Sequence, residues 1–365
     1  TLENRACLTF CIKLQHYKVT TFFYTPHNRN SYINFKIKKM ATKSALIVFL
    51  AVLSFGHCCY GQLQQGFYKD SCPSVEATVF KVVKEAFINN STIAPQMIRL
   101  YFHDCFSNGC DASLLLDGPN TERKASPNLS VRGYELIDAV KTALEKECEG
   151  VVSCADIIAL ATRDLVFLAS GEKARYEIPT GRFDGRESSA TSVVLPSPQM
   201  SVSDTFKMFR DKNLSLNDMV LLLGGHTIGV THCSFIMDRL YNFKNTQKPD
   251  PSMDSGLVQT LQQKCPKNSP TDGAIDLDQD FTSSKTVDAS YYKQIKSRRG
   301  ILQIDQQLAS DELTSKVVTD LANGGDFLGM FGKAMVNLGS VLVKDKKNGE
   351  IRKTCQSCKK LFCMP

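Results

Sequence analysis

Apolar positions recur at helical spacing along most of the chain. After Pro73-Ser74, the residues Val75, Val79, Val82, Val83 and Ala86 fall on one face of a helix. Residues 95–104 form a second helix, and Leu136, Val140, Ala143 and Leu144 mark a third. Ser153-Cys-Ala-Asp156 has the form of a capping box and opens a helix over Ile157–Ala169. Asn217-Asp218 opens Met219–Leu223, which runs into the break Gly224-Gly225. Phe327, Met330, Phe331, Ala334 and Leu338 mark a late helix. Strand signals are few and short, as in Val341-Leu-Val343, and Gly181 to Pro198 is a long irregular connection. The pattern predicts a mainly α fold of about ten helices with little sheet.

The amino-terminal part differs in kind. Met40-Ala-Thr-Lys43 is followed by the short apolar run Ala45–Phe55 and then by Gly56-His-Cys-Cys-Tyr-Gly61. A basic start, a brief apolar stretch and a small residue form a signal peptide over residues 40–61, with cleavage after Gly61. The apolar run is too short to span a bilayer, so no membrane anchor is expected. Residues 1–39 read as an upstream leader outside the mature protein, with Met40 as the start.

This division changes the meaning of the +7 net charge. Eight of the 44 Lys and Arg residues and one of the 37 Asp and Glu residues lie before Gln62, leaving 36 of each sign beyond it. No basic surface remains to argue for nucleic acid. Of the 14 cysteines, Cys7, Cys11, Cys58 and Cys59 fall in the leader and signal. The other ten, behind a secretory signal, imply a disulfide framework. Zinc is disfavoured, because Cys355-Gln-Ser-Cys358 is a solitary Cys-x-x-Cys.

Three histidines lie beyond the signal: His103, His226 and His232. A lone histidine is more often structural than functional, but two of these have telling neighbours. Arg99 precedes His103 by one helical turn, so both project from the same side of a helix. The guanidinium stays charged and holds the adjacent imidazole neutral by repulsion. A neutral imidazole can take a proton from hydrogen peroxide and return it to the leaving oxygen, while Arg99 stabilises developing negative charge. His226 follows Gly224-Gly225, where the backbone can approach closely or adopt an unusual dihedral, and is the natural iron ligand.

These residues stand in motifs that resemble the secreted class III plant peroxidases, haem enzymes of the plant peroxidase superfamily. The motifs are Gln62-Leu, Phe67-Tyr68, Ser71-Cys-Pro73, the run Arg99–Asp111, Val152-Ser-Cys-Ala-Asp156, Gly224-Gly-His-Thr227, Met237-Asp-Arg-Leu-Tyr241 and Glu350-Ile-Arg-Lys-Thr-Cys355. The resemblance implies a peroxidase domain over 62–355 with haem b between two helical halves, followed by a short extension over 356–365.

By this resemblance His103 is the distal acid–base catalyst, Arg99 the transition-state stabiliser and Phe102 the distal aromatic wall. Asn128 orients His103, although Asn128-Leu-Ser-Val-Arg132 is one residue shorter than the common pattern. His226 is the axial iron ligand and Asp305 its carboxylate partner. Pro179 lies where donors dock, and Phe235 lines the same opening. The implied disulfides are Cys72–Cys148, Cys105–Cys110, Cys154–Cys355 and Cys233–Cys265. Eight cysteines admit 105 pairings, so the assignment rests on the family. Cys358 and Cys363 have no family partner, and a mutual bond, free thiols and removal all stay open.

The loop after His103 crowds hard oxygen ligands. Asp104, Asp111 and Ser113 offer side chains, and Ser107 and Gly109 offer carbonyls, a set suited to calcium rather than to a solvated acidic turn. The family binds calcium here, with Glu122 in the outer shell. A second calcium site takes Thr227, Asp280, Ser283, Thr286 and Asp288. Asp280 keeps the spacing to Asp288, and Asp278 replaces it if the loop holds an insertion.

The chain has no Trp, which disfavours a peroxidase that stores an oxidising equivalent on an indole, and Tyr176 stands where the family has its single Trp. Asn89, Asn90, Asn128 and Asn213 each begin a glycosylation acceptor triplet.

The resemblance implies a monomeric secreted enzyme that reduces hydrogen peroxide and oxidises phenolic donors by one-electron steps through ferryl intermediates. Hydrogen peroxide catabolism and the response to oxidative stress follow, with lignin and cell-wall metabolism as a possible setting. Wall and vacuole, and the physiological donor, are left open. A decayed, non-catalytic scaffold would have lost Arg99, His103 or His226, and all three are present. The signal peptide and paired cysteines oppose an intracellular ascorbate-using enzyme.

Overall fold

The computed structural model describes residues 63–358. The leader, the signal peptide, the cleavage point and Cys363 lie outside the described residues. Within them stand twelve α-helices. In the first half these are α1 (Val75–Asn89), α2 (Ile93–Ser107), α3 (Tyr134–Glu147) and α4 (Cys154–Ala169). Then come α5 (Val202–Asp211), α6 (Leu216–Leu223), α7 (Met237–Tyr241) and α8 (Ser255–Lys264). The last four are α9 (Ser290–Lys296), α10 (Gln303–Ser310), α11 (Ser315–Ala322) and α12 (Phe327–Leu338). The one sheet among the described residues pairs β1 (Val230–His232) antiparallel with β2 (Ala274–Asp276), with Thr231 opposite Ile275.

Helix α4 is the centre of the packing. Fourteen of its sixteen residues are buried, so its apolar side chains extend well beyond a single stripe. It packs against α1 and α2. Helix α2 buries Ala94, Met97, Leu100, Tyr101, Asp104 and Cys105 on one side, which leaves Arg99 and His103 on the other.

Two expectations about helix starts need correction. Ser153 Oγ does accept from the Asp156 amide, at 3.1 Å, but the Asp156 carboxylate does not return to close the box. It takes Tyr68 Oη (2.7 Å), the Gly181 amide (2.7 Å) and Arg182 Nη1 (2.7 Å). Arg182 and Asp156 are both fully buried, so the ion pair needs these extra partners to be tolerated. The closed capping box lies instead at Ser215 and Asp218, so α6 begins at Leu216 and not after Asn217-Asp218.

Val341-Leu-Val343 is a turn and not a strand. Val341 points into the core, Leu342 takes a left-handed φ of 45° and faces solvent, and Lys344 just beyond pairs with Phe183 in an isolated bridge. A three-residue apolar run has no neighbouring strand to complete a ladder here. The Gly181–Pro198 stretch is irregular as expected, interrupted by a single 3-10 turn at Ala190–Ser192.

All four expected disulfides are present: Cys72–Cys148, Cys105–Cys110, Cys154–Cys355 and Cys233–Cys265. Cys154–Cys355 joins the start of α4 to the far end of the chain across 201 residues.

Candidate active site

Arg99 and His103 sit one turn apart on α2, and Arg99 Nε lies 3.2 Å from His103 Nε2. The guanidinium is also held by the carbonyls of Pro127 (3.0 Å) and Ser130 (3.4 Å). His103 Nδ1 is 2.7 Å from Asn128 Oδ1. The Asn128 amide orientation is set in turn, because its Nδ2 donates to the Glu122 carbonyl at 2.7 Å. Asn128 therefore presents an acceptor to Nδ1, and the lone pair of His103 falls on Nε2, beside the guanidinium. Burial lowers the His103 pKa to about 4, with Arg99 adding to the fall and Asn128 opposing it. A neutral base beside a fixed cation is the arrangement expected from sequence. Phe102 forms an edge contact with the His103 ring at 6.3 Å and stacks on Phe106, with Phe209 of α5 closing the cluster.

His226 lies in a 3-10 turn, Gly224–Thr227, at the end of α6. Gly224 has ordinary right-handed angles, so the glycine pair serves close approach and not an unusual dihedral. A Cβ at Gly224 would collide with Tyr292 Oη, and one at Gly225 would press on Ile98 of α2 at 3.3 Å. His226 Nδ1 is 2.9 Å from Asp305 Oδ1. Burial pulls the His226 pKa down, but the Asp305 carboxylate outweighs it, and the net shift is upward. Nδ1 donates to the carboxylate oxygen, so in the neutral ring the lone pair falls on Nε2.

His226 shares no hydrogen bond with Arg99, yet the guanidinium is near enough to repel a proton on it. Its side chain keeps 31% of its accessible surface while protein surrounds it. Arg99 and His103 are likewise accessible and enveloped. Such side chains are open to a ligand: a guanidinium and a basic imidazole on α2, and the imidazole of the Gly224–Thr227 turn. That donor set fits an iron porphyrin: a carboxylate-backed imidazole to hold the iron, and a guanidinium with a basic imidazole to handle charge and protons.

The oxygen-rich loop is buried throughout: Asp104, Ser107, Asp111, Ser113 and Glu122 all lie inside. Burial pushes Asp104 well above the usual carboxylate range, with Asp111 and Glu122 adding to the rise, and pushes Glu122 up to about 7. Ser107 Oγ and Glu122 Oε2 are buried without a protein partner. Buried acids and orphaned oxygens of this kind fit a hard cation. The Ser107 carbonyl also receives Lys212 Nζ at 2.6 Å, and the Gly109 carbonyl receives the Asp111 amide at 2.9 Å. Glu122 Oε1 accepts from Asn108 (2.7 Å) and Ser113 (3.0 Å), so the loop connects through Glu122 and Asn128 to His103.

Near His226, Thr227 is buried and its hydroxyl is 3.4 Å from the Thr286 carbonyl. Ser283 Oγ is buried without a partner, and Asp288 lies close to Thr227 and Asp280. The two aspartates left open by the sequence behave differently. Asp278 is 1% exposed with Oδ2 unpartnered, and burial pushes it up to about 6. Asp280 Oδ1 is occupied by the Thr282 amide (3.0 Å) and hydroxyl (2.6 Å). No three Asp, Glu, His or Cys side chains converge as a metal cluster among the described residues, so both loops depend on hydroxyls and carbonyls as well.

Pro179 and Phe235 stand on separate segments. The Pro179 carbonyl accepts from Arg182 Nη1 at 2.8 Å, and Phe235 is 48% exposed. Asn128 is buried, which closes its triplet to a glycan, whereas Asn89, Asn90 and Asn213 are exposed. Sequence reasoning missed Phe209, Lys212 and Tyr291, each of which reaches the site from a segment with no motif of its own.

The mainly helical fold and the two histidine sites agree with a haem peroxidase of the plant type. The sequence profile of the family described as "Peroxidase" matches residues 79–324, and the chain belongs to that family. It is 70% identical to Peroxidase 60 of Arabidopsis thaliana over 328 residues, covering 89% of this chain and 99% of the relative. It is 45% identical to Peroxidase 57 and 43% identical to Peroxidase 27 of the same plant, each covering 87% of this chain and 98% and 99% of those relatives. The chain is a class III plant peroxidase, an oxidoreductase. No helix among the described residues is long and apolar enough to cross a membrane.

Proposed function

We propose that the chain is a secreted, monomeric peroxidase that binds haem b through His226 and two calcium ions, and that it oxidises small phenolic donors with hydrogen peroxide. The observation that carries this is the His226 Nδ1–Asp305 bond, together with the Arg99–His103 pair on α2, whose guanidinium is near enough to His226 to repel a proton there. Haem supplies the iron at which peroxide is reduced and the electrons that donors replace.

The protein's own groups handle protons and charge. His103 Nε2 takes a proton from the bound peroxide and delivers it to the departing oxygen. Asn128 keeps that nitrogen basic by accepting from Nδ1. Arg99 stabilises the negative charge that builds as the O–O bond breaks. Phe102, stacked on Phe106, walls the distal side. Asp104, Asp111, Ser113 and the carbonyls of Ser107 and Gly109 would hold the distal calcium, with Glu122 behind. Thr227, Ser283, Thr286 and Asp288 would hold the proximal one, joined by Asp278, whose unpartnered buried oxygen recommends it over Asp280. Donors would enter past Pro179 and Phe235. The balanced charge beyond the signal suits a secreted protein that binds no nucleic acid.

Haem-loaded His103→Ala tests the assignment. Its reaction with peroxide should slow by about 10²–10⁴-fold while the Soret band persists through His226. Haem binding that survives His226→Ala, or undiminished guaiacol oxidation in His103→Ala, would overturn it.

A further inference from the structure

Asp305 Oδ1 has a second partner besides His226. Tyr291, on α9, places its hydroxyl 2.9 Å from that same oxygen. The Tyr291 ring stands edge-on to the His226 ring, with centroids 6.4 Å apart at 77°. Tyr291 is 1% exposed and Asp305 equally buried, so no bulk water competes for the oxygen. The next residue, Tyr292, is oriented differently, and its hydroxyl goes to the Val220 carbonyl at 3.1 Å. Adjacent tyrosines on one short helix therefore have separate tasks. One ties α9 to α6, and the other reaches the partner of the axial histidine.

We propose that Tyr291 is a positioning residue that sets how strongly His226 donates to the haem iron, by sharing Asp305 Oδ1 with the His226 N–H. The inference rests on the haem reading of His226 given above. A carboxylate only accepts, so the phenol hydroxyl must be a donor here. Two donors on one oxygen divide its charge, and each bond is weaker than it would be alone. A carboxylate relieved of charge pulls less on the imidazole proton. The imidazole then has less anionic character and is a weaker ligand. Tyr291 thus opposes the effect of Asp305, holding the histidine short of full imidazolate character.

The prediction has a sign that a merely structural role does not produce. In haem-loaded Tyr291→Phe, Asp305 should draw harder on His226. The iron–histidine stretch in the resonance Raman spectrum of the ferrous protein should move to higher frequency, and the ferric/ferrous midpoint potential should fall. Asp305→Asn should move both readouts the opposite way. Tyr292→Phe should move neither.

Should Tyr291→Phe not accumulate, 3-fluorotyrosine placed at position 291 keeps the shape and strengthens the donor, and should lower the stretch and raise the potential. Unchanged readouts in the first and the last of these variants, or a shift of Tyr291→Phe in the direction of Asp305→Asn, would overturn the proposal. Haem that binds without an iron–histidine band in the unaltered protein would instead overturn the haem reading itself.

Discussion

Asn128 Oδ1 lies 2.7 Å from His103 Nδ1, although the two residues come from different segments 25 positions apart. The loop delivers the amide in this orientation because Asn128 is fixed from behind by the Glu122 carbonyl. Removing this bond leaves the Nδ1 proton buried without an acceptor and lowers the basicity of Nε2. Haem-loaded Asn128→Ala should react with hydrogen peroxide roughly tenfold more slowly, the equivalent of about one hydrogen bond. Stopped-flow spectroscopy measures this directly, and an unchanged rate constant would show that the bond is idle.

The pH profile should carry the mark of His103. The catalyst works as a neutral base, and its pKa is lowered to about 4 by burial and by Arg99. Protonation removes the base as pH falls, so the rate constant for peroxide should stay level from pH 7 downward and drop only as pH passes through about 4. Arg99→Leu removes the second cause of the shift and should move the acid limb upward, toward the ordinary histidine value of about 6.5. An acid limb already near that value in the unaltered enzyme would contradict the electrostatic account.

Calcium stoichiometry should separate Asp278 from Asp280. Asp278 is buried with one oxygen unpartnered, while Asp280 is engaged by Thr282. Atomic absorption of purified protein should give two calcium ions per chain, one in Asp278→Asn and two in Asp280→Asn. The reverse outcome would return the proximal site to the spacing read from sequence.

Cys154–Cys355 closes a 201-residue loop and anchors the central helix α4 to the end of the chain. A chain-entropy estimate credits such a loop with about 5 kcal/mol. The Cys154→Ala, Cys355→Ala double variant should unfold at a markedly lower urea concentration. An unchanged midpoint would mean that the buried Arg182–Asp156 pair and the packing of α4 suffice without the covalent link.

Local information was enough for much of this protein. Helical spacing placed α1, α3, α4 and α12, since a repeating apolar stripe needs only neighbours in sequence. The turn of helix between Arg99 and His103 put both on one side for the same reason. Motif order pointed to the family and its disulfides, and to the pairs His226–Asp305 and His103–Asn128 that the structure brings within hydrogen-bond distance.

Other features depend on residues far apart in the chain. The Asp156 carboxylate left its capping box for Tyr68, Gly181 and Arg182, because a buried arginine is a stronger partner than its own helix terminus. Val341–Val343 became a turn because no strand lies beside it. Asp278, and not Asp280, was buried by the path of its loop. Tyr291 met Asp305 only because α9 packs beside the His226 turn, fourteen residues from its partner in sequence and carrying no motif. Periodicity reports which side of an element faces inward, whereas which buried groups meet there is decided by how the elements pack.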